Sequence, residues 1–348
     1  MCRRVDALAG PRALILDGAT VPLRSTIAWN CDEGPLRGQV GVAPPLPLGI
    51  SRRRAAELLA ERPAGNVVEL AFEDVAAIWL RRPRRPLVHP RLGVPELRRF
   101  AGETSAALFE SLLAAVPVHN DPAAEHRATQ KLYQLLVAQR CGLAIPRTLV
   151  TTDPERAAAF VGRIHAEGRE VVYKTNVFGR PDGPPTRVFV DEDWERIADV
   201  ALCPTTFQER VRGGPDLRVA IVGMRPFAAE WRAADGPSTS VDVRLDDARM
   251  WRTTLEPSLE RRLLALHAAL GLSLGVYDLK IDARLGPVFL ECNVSGQWLD
   301  LETEAGHPVS EALARLLVSG AAAAWETALP PFGDDDLLAM VDELAAVR

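Results

Sequence analysis

Two rhythms of hydrophobic and polar positions organise the C-terminal two thirds of this chain. Leu274–Asp282 (LGVYDLKID) and Pro287–Asn293 (PVFLECN) are short runs of β-branched, aromatic and leucine residues. The Ala283–Gly286 segment between them ends in a glycine suited to a reversal, so the pattern predicts a β-hairpin. Ahead of it, Leu259, Leu263, Leu266 and Leu270 recur at helical spacing after Pro257 and predict a core-facing helix. Asn120-Asp121-Pro122 places a capping group before a proline, which predicts a helix running to about Arg140 and stopping at Gly142. Leu132, Leu135, Leu136 and Gln139 mark its expected core side, with Lys131 just before them. Pro146–Val150 reads as a strand, and Thr152-Asp153-Pro154 opens a helix that ends at Gly168. Further strands follow at Glu170–Thr175, Thr206–Val211, Asp216–Val222 and Pro226–Trp231, the last two joined by a turn near Gly223-Met224.

The N-terminal third has weaker periodicity. Ala13–Leu16 and Val67–Phe72 are expected strands, and Ser51–Glu61 a short helix with a serine cap. Val75–Leu80 reads as a buried strand that runs into Arg81-Arg82-Pro83-Arg84-Arg85-Pro86, where the prolines stop regular pairing. That arginine block is a solvated loop or an anion-facing rim. Pro95–Leu113 carries Leu97, Phe100, Ala101, Leu108 and Leu112 at helical spacing. Pro44–Pro47 lies in a loop, and Phe332–Arg348 is an acidic, leucine-bearing helix by pattern.

At 348 residues, with 47% hydrophobic and 25% charged residues, the chain belongs with multi-domain globular proteins. A net charge of −5 argues for neither nucleic acid nor a membrane surface as partner. No apolar run approaches the roughly 18 residues that span a bilayer, and MCRRVDALAG lacks an apolar signal core. Cys2, Cys31, Cys141, Cys203 and Cys292 are odd in number and scattered, a pattern of free thiols in a reducing cytosol.

Candidate chemistry concentrates in the hairpin. If Asp282 pairs with Pro287, Asp278 stands directly opposite Glu291. Facing carboxylates repel at about 4.5–5.5 Å between Cβ atoms unless they share a proton or a cation. Asn293 shares the face of Glu291 and offers a third oxygen, a set that suits magnesium. In a shifted register the two acids would merely edge the sheet. Lys174 emerges from a buried strand, where a charge needs an anion, and is followed by a glycine- and proline-rich loop, Asn176–Arg187. Asp216 and Arg218 share one strand face, as a surface ion pair or as the wall of a polar cleft, and Asp242-Val243-Arg244 repeats their spacing. Lys131 alone would pass for an ordinary solvated helix lysine.

The order of these features resembles the ATP-grasp fold, and more closely the graspetide synthetases, ATP-grasp peptide maturases of the microviridin and actinobacterial type. The residues that carry the likeness are AIWLRRP (Ala77–Pro83), Asn120–Pro122, IPRTLVTTDP (Ile145–Pro154), VVYK (Val171–Lys174), FQERV (Phe207–Val211), DLRVAIVG (Asp216–Gly223) and FLECNVSGQW (Phe289–Trp298). They span roughly residues 70–318. The resemblance implies a mixed α+β / α/β architecture: an N-terminal pre-ATP-grasp α/β domain (1–120), a central or lid subdomain (121–215), a C-terminal subdomain with the magnesium site (216–320) and a tail helix (321–348). It implies that Lys131 and Lys174 bind ATP phosphates and that Glu209 and Val211 meet the adenine at the hinge, with Arg210 beside them. Asp216 would lie near the ribose and Arg244 near the phosphates. Asp278, Glu291 and Asn293 would hold Mg2+, and Arg218 would face the substrate carboxylate or the transferring phosphoryl group.

The implied reaction phosphorylates side-chain carboxylates of a ribosomally made precursor peptide, which hydroxyls or amines of the same peptide then attack to close ω-ester or ω-amide rings. The implied partners are that peptide and a second copy of the chain, in the cytoplasm. The sequence departs from the resemblance over residues 1–70 and at Val294-Ser295-Gly296, where proline commonly follows the asparagine. Two other functions compete: an ATP-grasp ligase adding a free amino acid to a peptide or protein tail, and a non-catalytic nucleotide-dependent peptide binder. His119 and His126 are expected to be structural or exposed.

Overall fold

The computed structural model describes residues 13–31, 35–44, 67–81, 83–174, 186–233 and 248–319. The expected Ser51–Glu61 helix, the Pro44–Pro47 loop beyond residue 44, the Asn176–Arg187 loop up to residue 185, Asp242-Val243-Arg244 and the Phe332–Arg348 helix lie outside them. The chain forms two compact units, Met1–Pro122 with Pro308–Arg348, and Ala123–His307.

In the first unit, β1 (Thr26–Asn30), β2 (Arg37–Val42) and β3 (Val68–Ala71) form an antiparallel sheet in that order. β4 (Ile78–Trp79) pairs in parallel with β5 (Val118–His119), so the expected Val75–Leu80 strand contracts to two residues. Ala13–Leu16 is irregular rather than a strand: Leu14 and Leu16 pack against the core without a ladder, and Asp17 caps the 3-10 turn Gly18–Thr20. Helix α1 (Pro95–Ala115) forms as expected, but it buries only Leu112 and Leu113. Leu97 and Phe100, placed on its core side by spacing, are exposed. Helical period says which residues share a face, and the packing partner decides how much of that face is covered.

Among the described residues the second unit holds two sheets. A four-stranded sheet has the order β6 (Thr148–Thr151), β9 (Thr205–Glu209), β7 (Val171–Lys174), β8 (Arg187–Val188). Helix α4 (Pro154–Ala166), capped by Asp153, supplies Phe160, Val161 and Ile164 to its core, where they join Val171 and Phe207. The other sheet is antiparallel throughout, in the order β12 (Ala248–Arg252), β11 (Arg225–Ala233), β10 (Gly213–Val222), β13 (Leu274–Asp282), β14 (Gly286–Asn293). Its inner face shares one core with helix α5 (Pro257–Leu270): Leu217, Val219, Ile221, Tyr277, Leu279 and Phe289 meet Leu259, Leu263, Leu266 and Leu270. Gly271 ends α5 in the left-handed conformation, at φ 70°.

The expected Asn120–Arg140 helix is two helices, α2 (Pro122–Ala128) and α3 (Lys131–Arg140). Thr129 bonds back to α2 through its amide and hydroxyl, and Gln130 is extended, so helix α3 starts afresh at Lys131. The restart turns Gln134, Leu135, Val137 and Ala138 inward and leaves Leu132, Leu136 and Gln139 exposed, which corrects the expected core side at three of four positions.

The β13–β14 hairpin also differs from expectation in its bend. Asp282 pairs with Gly286, not Pro287, and a bulge between Asp278 and Leu279 then absorbs one residue. Beyond the bulge Asp278 stands opposite Glu291. The shift at the bend and the bulge cancel. Asp282 fixes the bend by accepting the amides of Arg284 and Leu285.

Candidate active site

Register builds the site. Glu291 on β14, Asp278 on β13 and Arg218 on β10 are direct cross-strand partners, so three charged side chains stand in one row on one face of the sheet. Arg218 Nη1 donates to Asp278 Oδ1 at 2.8 Å, and Lys131 Nζ donates to Glu291 Oε2 at 2.7 Å. The other two carboxylate oxygens converge on Asn293, whose Nδ2 donates to Asp278 Oδ2 at 2.8 Å and to Glu291 Oε1 at 3.2 Å. The repulsion of two facing acids is thus met by two cations and an amide. The next row on this face is Lys280 with Asp216, joined at 2.7 Å.

Electrostatics follow from this crowding. Burial pushes the Glu291 carboxyl up, but Lys131, Lys174 and the Asn293 amide outweigh it and hold the group below the ordinary carboxylate value. Lys174 is held below the ordinary lysine value, chiefly by burial; Glu291 opposes this and the Lys131 charge adds to it. Cys292, between Glu291 and Asn293, points the other way into the core, where burial pushes its thiol up to about 12. It stays protonated at neutral pH and is no ligand or nucleophile there.

The FLECNVSGQW segment has a physical logic here. A Cβ on Gly296 would lie 2.7 Å from Val276 Cβ and 3.0 Å from Asn293 Cβ, so only glycine allows this loop to close over the strand. The Gln297 carbonyl then accepts from Arg218 Nη2 at 2.7 Å, and Trp298 is buried. Asp300, in the short helix α6 (Leu299–Thr303), lies 3.5 Å from Arg218 Nε. Arg218 is held on three sides.

The remaining expected residues divide. Glu209 is buried at the end of β9, its carboxylate paired with Arg147 and Arg169; its side chain points into an arginine cluster. Arg210 pairs with Glu170 at 2.8 Å, and Val211 follows β9 in irregular chain. Arg244 lies outside the described residues. Among the described residues no three histidine, cysteine or carboxylate side chains cluster as a metal site; the third donor is an amide. Even so, the donor set fits a hard divalent cation. Asp278 Oδ2 and Glu291 Oε1 reach one atom of Asn293, and turning that amide over would present an oxygen at the same point.

No family model matches the chain, and no curated protein matches it in sequence. Solved structures do match. The macrocyclase MdnC bound with precursor peptide MdnA, from Microcystis aeruginosa MRC, is 25% identical with a TM-score of 0.72, over 91% of this chain and 94% of that one. The chain has the ATP-grasp fold, in the form MdnC carries. Two further structures with this ATP-grasp fold are less alike in sequence. The Chryseobacterium gregarium RiPP-associated ATP-grasp ligase, in complex with ADP and a leader and core peptide, is 20% identical, with a TM-score of 0.69 over 92% of each chain. The ATP-grasp ligase PsnB, complexed with precursor peptide PsnA2 and AMPPNP, is 19% identical, with a TM-score of 0.64 over 91% of each chain.

One residue beside this carboxylate row, Lys280, escaped the reading of motifs. Among 41 lysines and arginines only Lys131, Lys174 and Lys280 are lysines, and all three are at or beside the carboxylate row. Lysine is a compact, strongly hydrated charge that titrates when buried, whereas arginine is a permanent planar fork. In a chain that otherwise uses arginine this choice sets the carboxylate row apart, and the signal needs only a count. The Arg169 bridge from Glu209 to Asp282, at 3.0 Å on the Asp282 side, left no such trace.

Proposed function

We propose that this chain is an ATP-dependent ligase that closes ω-ester or ω-amide rings in a ribosomally made precursor peptide. The observation that carries the reading is the meeting of Asp278, Glu291, Asn293, Lys131 and Arg218 within hydrogen-bonding distance on one sheet face, in a chain that matches the fold of MdnC over 91% of its length.

The chemistry needs this kind of site. A carboxylate is a poor electrophile; transfer of the ATP γ-phosphoryl group to a peptide Asp or Glu gives an acyl phosphate and ADP. Attack by a peptide hydroxyl or amine expels inorganic phosphate and leaves the ester or amide. Such transfers depend on positioning and charge neutralisation more than on covalent help from the protein. Lys131 and Lys174 offer two ammonium groups to the phosphates. Asp278, Glu291 and Asn293 would hold Mg2+, which would supply charge neutralisation for the phosphoryl transfer. Arg218 is oriented by Asp278, the Gln297 carbonyl and Asp300, and its remaining N–H edge serves the substrate carboxylate or the phosphoryl group in transfer. Glu209, Arg210 and Val211 line the adenine through their backbone, since the Glu209 and Arg210 side chains are engaged in ion pairs. Asp216, which pairs with Lys280, would serve the ribose, and Arg244 is assigned to the phosphates by the family resemblance alone.

The test is incubation with ATP, Mg2+ and the peptide encoded by a neighbouring short reading frame rich in Thr/Ser and Asp/Glu. Mass loss of one water per ring supports the reading. Unchanged peptide with transfer of free glutamate would replace it with a tail-adding ligase, and nucleotide-dependent peptide binding without turnover would replace it with a binder.

A further inference from the structure

β14 is an edge strand, and edge strands carry backbone N–H and C=O groups with no neighbour to bond. At Cys292 that edge is closed by a side chain. Gln134 on α3 accepts the Cys292 N–H at its Oε1 (2.9 Å) and donates through Nε2 to the Cys292 carbonyl (2.7 Å). A primary amide presents donor and acceptor in one plane, as a peptide unit would, so Gln134 stands in for a missing strand. Its Nε2 also donates to the carbonyl of Ala128, the last residue of α2, at 2.5 Å. The side chain is almost wholly buried, at 1% exposure.

Position gives these bonds their meaning. Cys292 is flanked by Glu291 and Asn293, and its own side chain is locked in the core. Fixing its backbone therefore fixes the direction in which both neighbours leave the strand. Gln134 lies one turn after Lys131, so the same contact that clamps β14 also places the Lys131 ammonium against Glu291.

We propose that Gln134 is a positioning residue for the metal-binding edge: it touches no ligand, and through the Cys292 backbone it sets the geometry of Glu291, Asn293 and Lys131. The proposal rests on the reading of Glu291 and Asn293 as metal ligands. Groups that orient metal ligands from behind typically contribute 10–100-fold to metal affinity.

The experiment uses the full chain with ADP and Mn2+ as the spin-active probe. Gln134→Met keeps volume and removes all three bonds. It should lower Mn2+ affinity at least about tenfold by electron spin resonance titration. It should also speed exchange of the Cys292 amide by about tenfold or more in protein free of metal. Leu266→Ala, a core truncation on α5, controls for lost stability: it should leave Mn2+ affinity unchanged and speed exchange across the core amides in common, without singling out Cys292. Glu291→Gln, measured alongside, tests the ligand reading. Retained Mn2+ affinity in Glu291→Gln sinks that reading, whereas retained affinity or unchanged Cys292 exchange in Gln134→Met sinks the role given to Gln134. Should Gln134→Met fail to fold, the wild-type protein still decides: an unprotected Cys292 amide overturns the proposal, and slow exchange at this edge position supports it.

Discussion

Lys131 Nζ and Glu291 Oε2 lie 2.7 Å apart although 160 residues separate them in the chain. The pair is partly exposed, at 20% and 33% of the side chains, so its net contribution to stability is no more than about 1 kcal/mol. On the proposed function its value is catalytic: Glu291, which neutralises two lysines here, would serve as a metal ligand once phosphates take the lysines over. Glu291→Gln should cut ring formation by at least about 100-fold while shifting the unfolding midpoint by only a few degrees. Peptide mass spectrometry and thermal unfolding on the same preparation check both halves.

Lys174 offers a second test, because three lysines make amine chemistry almost site-specific. Burial and the Lys131 charge hold Lys174 below the ordinary lysine value, so more of it is the nucleophilic free amine at pH 8 than of an ordinary lysine. A limiting amine-acylating reagent should label Lys174 ahead of Lys280, whose ammonium is held by Asp216 at 2.7 Å. ATP should protect Lys174 by about tenfold or more if its phosphates occupy the site. Equal labelling of the two lysines, with no protection by ATP, would remove Lys174 from the phosphate role.

Gly296→Ala tests the loop that follows the ligands. The new methyl would sit 2.7 Å from Val276 Cβ, a strand atom that cannot swing aside, and 3.0 Å from Asn293 Cβ. Overpacking of this kind costs about 1–3 kcal/mol. Here the loop should yield first and carry Gln297 away from Arg218 and the Asn293 amide away from the two acids. The expected result is a loss of kcat larger than the loss of stability explains, measured as turnover at saturating ATP beside denaturant midpoints.

How much of this was legible in sequence varies by residue. Strand alternation was enough to bring Asp278 and Glu291 together, yet the bend was placed one residue late, and a bulge invisible to pattern restored the pairing. The pairing of Lys131 with Glu291 has no local signal, nor does the helix break before Lys131, since neither Thr129 nor Gln130 is a glycine or proline that would announce it. Leu132 and Leu136 were read as core because leucine spacing suggested it, and the buried Gln134 between them reversed the face. A glutamine that closes an edge strand obeys no local rule. Its partners Ala128 and Cys292 are set by tertiary packing, as are the Arg169 contacts with Glu209 and Asp282.

The buried pair behind the site contributes to the response to acid. His267 Nδ1 and the Tyr277 hydroxyl lie 2.7 Å apart inside the core, and His267 is wholly buried. Burial lowers the His267 pKa from 6.5 to about 4. The folded state therefore keeps the imidazole neutral where the unfolded chain takes up a proton. Below pH 6.5 the unfolded state binds more protons, so stability present at neutral pH is lost as pH falls from 6.5 towards 4, and the loss levels off below that. A shift of this size corresponds to roughly 3 kcal/mol over the window. Replacing both partners at once, His267→Leu with Tyr277→Phe, removes the titrating group without leaving a lone buried hydroxyl. Urea unfolding midpoints between pH 4 and 7 should fall steeply with acid in the wild type and more gently in the double variant; parallel slopes would assign the acid sensitivity to other groups.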